Sequence, residues 1–83
     1  MANLNERVGA LLLEQWDPIG VRDIPAAHDE YDAYVGEIVA LLKRRATAAN
    51  LATVLVRIQA EDMGLKPDRG LAERVAAALL RLI

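Results

Sequence analysis

Hydrophobic residues recur along the whole chain with the period of an α-helix, and the first such segment lies near the start. Its apolar side is formed by Leu4, Val8, Leu11 and Leu12. Asn3 precedes this segment and Glu6 follows three places on, which is the spacing of a capping box with Asn in the Ser/Thr role. These features predict a helix from about Asn3 to Gln15, which ends before Pro18 because the residue preceding proline is biased away from helical geometry.

A turn and a long connection follow the first predicted helix. Asp17-Pro18-Ile19-Gly20 has the residue order that a type I turn prefers. The connection continues to His28, and its apolar residues are Ile19, Val21 and Ile24. Because such side chains gain free energy by leaving water, we expect this loop to pack as a lid over one end of the core.

The second predicted helix runs from Asp29 to about Arg45. Asp29 is its expected N-cap, and the basic run that begins at Lys43 complements the dipole of its last turn. Its apolar stripe consists of Tyr31, Tyr34, Val35, Ile38, Leu41 and Leu42. Gly36 lies inside this helix at a cost of about 1 kcal/mol relative to Ala, which indicates either a closely packed neighbour or a bend.

The third predicted helix begins after Thr47, its expected N-cap, and ends near Asp62. Its apolar stripe is narrow and consists of Leu51, Val54, Leu55 and Ile58. Gly64 suits the left-handed position that follows a helix, and Leu65 can fold back in the manner of a Schellman motif. These signals predict a sharp end to the third helix.

The fourth predicted helix runs from about Arg69 to Leu82, with Asp68 as its N-cap. Its apolar stripe is formed by Leu71, Val75, Leu79, Leu82 and Ile83. Leu80 lies well outside that stripe, so the apolar arc is wider than usual. Such an arc predicts a helix buried between neighbours or, alternatively, one that contributes to a homodimer interface.

The pattern therefore predicts a single all-α domain over residues 1–83, a bundle of four short helices with an ordered loop between the first two. The chain is 54% hydrophobic and 27% charged with a net charge of −2, which is typical of a folding chain. It contains neither cysteine nor serine, which excludes disulfides, thiolate zinc sites, cysteine nucleophiles and serine-triad hydrolysis.

Charge is distributed unevenly between the two halves of the chain. Residues 1–42 carry eight acids and two bases (−6), and residues 43–83 carry four acids and eight bases (+4). This asymmetry favours contact with a basic partner at the acidic half, or head-to-tail contact between halves. The first residues lack the basic and long apolar regions of a signal peptide, and no apolar run approaches membrane-spanning length, so we expect a cytoplasmic protein.

Three short motifs stand out: W-D-P-I-G-V from Trp16, D-E-Y-D-A-Y from Asp29 and M-G-L from Met63. Over roughly residues 10–80 the chain resembles a family of small bacterial helical proteins, a domain of unknown function, with W-D-P-I-G-V, D-E-Y-D-x-Y and M-G-L at similar separations. The resemblance implies a compact helical protein and no particular activity. The family pattern has an acidic residue where Gln59 stands in this chain.

The first two motifs define a candidate partner surface. Its members are Trp16, Asp17, Asp29, Glu30, Tyr31, Asp32 and Tyr34. Three aromatic anchors with an acidic rim have the chemistry of a protein-binding hot spot. The alternative interpretation is that the aromatic rings fill the core and the acids cap a helix.

Other chemistries have weaker signals. His28 and Asp32 are spaced i, i+4, but a single histidine with scattered acids is poor support for a metal, and we expect no metal, no cofactor and no catalysis. The tight junction before Thr47 invites a helix-turn-helix interpretation, yet the third helix exposes one arginine, Arg57, so nucleic acid is not the expected partner. The predicted function is non-catalytic protein–protein interaction. The alternatives are an immunity or inhibitor protein that binds a basic partner through its acidic half, and a small nucleic-acid regulator.

Overall fold

The computed structural model describes residues 3–27 and 29–83, and these ranges contain four α-helices and no strand. The helices are α1 (Leu4–Leu11), α2 (Asp32–Lys43), α3 (Ala48–Arg57) and α4 (Arg69–Leu80). A π-helical turn extends α1 over Leu12–Trp16, another extends α3 over Ile58–Asp62, and a short 3₁₀ turn covers Pro25–Ala27. The predicted all-α bundle of four helices is confirmed. Within the described ranges, no helix has the length and apolar character to cross a membrane.

Three helices begin at the residues that their sequence signals indicated. The N-caps are Asn3, Thr47 and Asp68, whose side-chain oxygens accept the backbone N–H three residues further on at 2.8, 3.1 and 3.0 Å. Each bond satisfies one of the amide donors that a helix start leaves without a partner. At the end of α3, Gly64 is left-handed with φ +65°, as its sequence signal indicated, and the Leu65 N–H reaches back six residues to the Gln59 carbonyl at 2.9 Å, one residue further than in a Schellman motif because the preceding turn is π-helical.

The start and end of α2 differ from the prediction. The helix begins at Asp32, and Tyr31 occupies the N-cap position without a side-chain cap bond, so the prediction that Asp29 caps this helix is wrong. Asp29 instead belongs to a turn in which its own carbonyl accepts the Asp32 N–H at 3.0 Å. At the other end, Arg45 is left-handed with φ +59°, which stops the helix at Lys43 rather than at Arg45.

The core lies where two helix pairs meet. α1 packs against α2, α3 packs against α4, and α1 with its π-helical turn also contacts α4. The largest fully buried side chains are Tyr31, Leu12, Ile38, Leu42, Leu51, Leu55, Ile58, Leu79, Val8 and Val75. Every helix contributes to this set, so removal of any one of them would expose a continuous apolar surface.

The wide apolar arc of α4 is explained by its two neighbours. Ala72 and Ala76 are buried beside Val75 and Leu79, and Leu80 is half-buried against the same core. Of the apolar stripe predicted for this helix, Ile83 is the most exposed member, at 60%. Central packing therefore accounts for Leu80 without a dimer.

Candidate functional site

The candidate site is built around a change of chain direction at Asp17. The Asp17 N–H donates to the Leu12 carbonyl at 2.8 Å, which closes the π-helical turn, and the Asp17 backbone is left-handed with φ +33° and ψ +56°. Asp tolerates this region better than most residues because its short side chain can bond locally. The Gly20 N–H then donates to the Asp17 carbonyl at 3.2 Å, which confirms the turn predicted over these residues.

The Asp17 carboxylate and the Tyr31 hydroxyl hold the loop in place. Asp17 Oδ1 accepts the Val21 N–H at 2.8 Å and the Tyr31 hydroxyl at 2.7 Å, and Oδ2 accepts the Arg22 N–H at 3.1 Å. The Tyr31 hydroxyl oxygen in turn accepts the Ile19 N–H at 3.1 Å. We call these four hydrogen bonds the Asp17–Tyr31 clamp. They join the start of the loop to the residue that precedes α2.

The electrostatics of the clamp favour an ionised Asp17 and a neutral Tyr31. Partial burial raises the pKa of the Asp17 carboxyl, but the Tyr31 hydroxyl and the two backbone N–H groups outweigh burial, and the pKa is lowered overall. Burial raises the pKa of the Tyr31 hydroxyl, and the neighbouring Asp17 carboxylate raises it further. The charge-assisted bond between them is therefore maintained at neutral pH.

Trp16 and Tyr31 belong to the core rather than to the surface. They are 3% and 1% exposed, and their rings lie 5.6 Å apart at an angle of 49°. Trp16 Nε1 is buried and finds no acceptor among the described residues. The rings of Trp16 and Tyr31 thus fill the interior, as the alternative interpretation expected of the aromatic residues, and neither of these two rings is an exposed anchor.

The remaining members of the candidate surface are placed in three ways. Asp17 is half-buried within the clamp, and Tyr34 is half-buried against the core. Asp29, Glu30 and Asp32 are exposed around the start of α2. The structure therefore brings Trp16, Asp17 and Tyr31 into contact and leaves three acids in solvent. His28 lies outside the described residues.

Two apolar residues of the loop, which were expected to lie in a lid over the core, are exposed. Ile19 is 40% exposed and Ile24 is 50% exposed, and of the three predicted lid residues only Val21 is buried. The prediction that all three cover the core is wrong because the clamp bonds the Val21 and Arg22 N–H groups and thereby directs the loop by polar contacts. The sequence signal available for this arrangement was Asp17 itself, because its side chain can accept hydrogen bonds from the backbone N–H groups four and five residues further on.

Two further polar contacts bear on function. Arg57, the arginine of α3, forms an ion pair with Glu37 of α2, with Nη2 2.8 Å from Oε1. The buried Gln59 side chain donates from Nε2 to the Lys66 carbonyl at 2.9 Å, a bond that an ionised acid at this position would be unable to donate. Among residues 3–27 and 29–83, no three His, Cys, Asp or Glu side chains come together as metal ligands would.

No family model, no curated protein and no solved structure matches the chain.

Proposed function

We propose that this protein is a non-catalytic, cytoplasmic protein-interaction module that binds its partner through the loop between α1 and α2. The observation that carries the proposal is the combination of a fixed backbone with exposed apolar side chains. We define the loop surface by five exposed residues, which are Ile19, Asp23, Ile24, Asp29 and Glu30; the exposed Arg22 lies beside them, with Nε 3.9 Å from Asp23 Oδ1. Two isoleucines supply apolar contact area and three acids of the same segment supply negative charge, which are the components of an interface with an apolar centre and a charged rim.

The Asp17–Tyr31 clamp supports this proposal because binding costs less when the binding segment is already ordered. A flexible loop would lose conformational freedom on docking, whereas this loop has lost it on folding. Exposing Ile19 and Ile24 on an ordered loop also costs solvation free energy that a partner would recover. Neither residue contributes to the core, so folding alone does not require isoleucine at these positions.

The chemistry of the partner follows from charge. An acidic rim complements a surface with basic residues around an apolar recess, and the excess of acids in residues 1–42 attracts such a surface over a distance. An immunity or inhibitor protein that blocks a basic target is one form of this function. A nucleic-acid regulator is less well supported, since the arginine of α3 is engaged by Glu37.

The proposal is tested by affinity capture with the wild type and two matched variants. Ile19→Ala with Ile24→Ala should abolish retention of the partner while leaving stability nearly unchanged, because both side chains are exposed. Ile83→Ala removes another exposed isoleucine far along the chain and should retain the partner. If the wild type and both variants retained the partner equally, the loop surface would not be the binding site.

Once a partner has been captured, charge reversal tests the rim. Asp23→Lys with Glu30→Lys should slow association and reduce its dependence on salt, because rim charges act mainly on the association rate. Charge reversal at Arg44 and Lys66, two exposed basic residues, is the control and should leave that rate nearly unchanged. Association rates across a salt series provide the measurement. Binding to DNA in place of protein would support the nucleic-acid alternative.

A further inference from the structure

A second surface is an open groove along the junction of α1 and α2. The groove has a volume of about 630 Å³. Its lining includes Glu6, Gly9, Ala10, Leu13, Asp32 and Gly36. The floor is therefore made largely of small and apolar residues, and a carboxylate stands on each wall. It contains neither Ile19 nor Ile24 and is distinct from the loop surface.

The two glycines of the groove are not required by packing within the chain. Among residues 3–27 and 29–83, a Cβ atom at Gly36 would have no neighbour within 4 Å, so of the two expectations for Gly36 the closely packed neighbour is wrong. At Gly9 a Cβ would meet only Val35 Cγ2, at an ordinary 3.7 Å. Each glycine inside a helix costs about 1 kcal/mol relative to Ala. If a helix of another molecule packed closely against this groove, the absence of a side chain at both positions would make room for it.

The exposed side of α4 is opposite in charge to the walls of this groove. Its stripe consists of Gly70, Arg74, Ala77 and Arg81, all exposed and spaced i, i+4, i+7 and i+11. Small residues alternate with arginines along the stripe, and the Arg74 guanidinium lies beside Gly70, with Nη1 3.6 Å from the position that a Cβ atom would take there. Within the described ranges, Arg74 and Arg81 form no ion pair, and neither do Glu6 and Asp32 on the groove walls.

We propose that the groove of one copy receives the α4 stripe of a second copy, and that the exchange is reciprocal. Both elements belong to the same chain, so two copies related by a twofold axis can satisfy two grooves and two stripes at once. A one-way contact would instead leave a free groove and a free stripe, which leads to open assemblies. The groove takes its two acids from the acidic half of the chain, and the stripe takes its two arginines from the basic half.

Charge exchange between two variants tests this pairing directly. One variant carries Glu6→Arg with Asp32→Arg, and the other carries Arg74→Glu with Arg81→Glu. Each alone should dissociate into monomers, with a dimer dissociation constant raised at least about tenfold, since like charges would face one another. Mixed in equal amounts, they should form a heterodimer with both groove–stripe pairs restored. Sedimentation equilibrium across a concentration series measures both results, and circular dichroism verifies the fold.

Two further variants separate groove filling from a general charge effect. Gly36→Leu should prevent dimerisation without unfolding the chain, because its Cβ meets only open space. Arg44→Glu with Lys66→Glu makes the same change in net charge as the stripe variant and should leave the dimer intact.

Several results would overturn the proposal. A wild type that stays monomeric up to millimolar concentration would do so, as would failure of the mixed variants to pair. Assemblies larger than a dimer would show that the two copies do not exchange groove and stripe reciprocally. If the wild type were monomeric and Gly36→Leu abolished its binding to a captured foreign protein, the groove would be a binding site for that protein and not for a second copy. None of these variants alters Ile19 or Ile24, so the outcome is independent of the loop surface.

Discussion

The segment from Trp16 to Tyr31 and the α3–α4 pair are held together by different kinds of interaction. α3 and α4 meet through fully buried aliphatic side chains, among them Leu51, Leu55 and Leu79. Between its two buried rings, this segment places Val21 in the core and Ala27 against it, and the four hydrogen bonds of the Asp17–Tyr31 clamp hold its backbone. Apolar packing has no direction and no charge, whereas the clamp requires one ionised carboxylate in one geometry.

This difference separates the stability of the bundle from the order of the loop. Loss of buried apolar volume should destabilise the α3–α4 pair, whereas protonation of acidic side chains should leave its stability unchanged. Protonation of the Asp17 carboxylate should weaken the order of the loop while the bundle remains folded. Binding segments are commonly drawn from the less stable parts of a protein, and the loop surface proposed above fits that rule.

Trp16→Ala should have the largest effect because Trp16 supports both regions. Its ring is buried against Tyr31 and joins the end of α1 to the core, and removal of a buried Trp costs about 3–5 kcal/mol. A domain of this size has a total free energy of unfolding of about 4–12 kcal/mol at about 0.05–0.15 kcal/mol per residue. Chemical denaturation should show a variant that is largely unfolded or close to it. An unchanged midpoint would contradict the buried position of Trp16.

Asp17→Ala should have the second largest effect. It removes the acceptor of three hydrogen bonds and leaves a left-handed residue without its local side-chain bond, and we expect a cost of about 2–3 kcal/mol. The far-ultraviolet circular dichroism of the helices should persist. Loss of the helical signal together with the loop would show that the two regions do not separate.

The contribution of Asp17 should also depend on pH. Its pKa is lower in the folded protein than its ordinary value of 3.8, so the ionised carboxylate stabilises the fold above that value. This stabilisation is lost as pH falls through the lowered pKa of the folded state. The difference in unfolding free energy between wild type and Asp17→Ala should therefore shrink on acidification below about pH 4. A difference that stays constant to the acid limit would contradict an ionised clamp.

Tyr31→Phe should have a smaller effect, about 1 kcal/mol. It keeps the ring against Trp16 and removes only the hydroxyl, which leaves the Ile19 N–H without its acceptor and Asp17 without one donor. A double-mutant cycle with Asp17→Ala should give non-additive free energies, because both changes break the same bond. Strict additivity would indicate that the two side chains act separately.

Gly36→Ala should have the smallest effect and the opposite sign. Nothing within 4 Å meets the added methyl group, so helix propensity alone should raise the unfolding free energy by about 0.5–1 kcal/mol. Thermal unfolding at concentrations where the chain is monomeric measures this. Destabilisation would reveal a neighbour at Gly36 within the chain.

The helix starts that the sequence predicted correctly share a local cause. Asn3, Thr47 and Asp68 each bond an amide three residues away, and Gly64 needs only its own freedom to be left-handed, so a short stretch of sequence contains the whole signal. The start of α2 lacked such a signal. Asp29 had the right residue type, but the turn that contains it displaces the helix start to Asp32.

The candidate site was harder to predict because its decisive bond joins residues fourteen positions apart. Asp17 and Tyr31 were both singled out by their motifs, yet the sequence does not show that one would bond the other. The same Asp17 carboxylate also bonds the Val21 and Arg22 N–H groups, and in this loop Val21 enters the core while Ile19 and Ile24 remain in solvent. Hydrophobicity alone assigns all three residues to the interior, since it contains no information on a polar contact across the loop.

Amide hydrogen exchange tests the central claim, that the Asp17–Tyr31 clamp orders the loop independently of the helical bundle. In the wild type, the N–H groups of Ile19, Val21 and Arg22 should be protected because each donates to the clamp. In Tyr31→Phe and Asp17→Asn, their exchange should accelerate by about tenfold or more, while the amides of α3 and α4 keep their wild-type rates. Unchanged protection in the loop, or an equal acceleration in α3 and α4, would contradict the account.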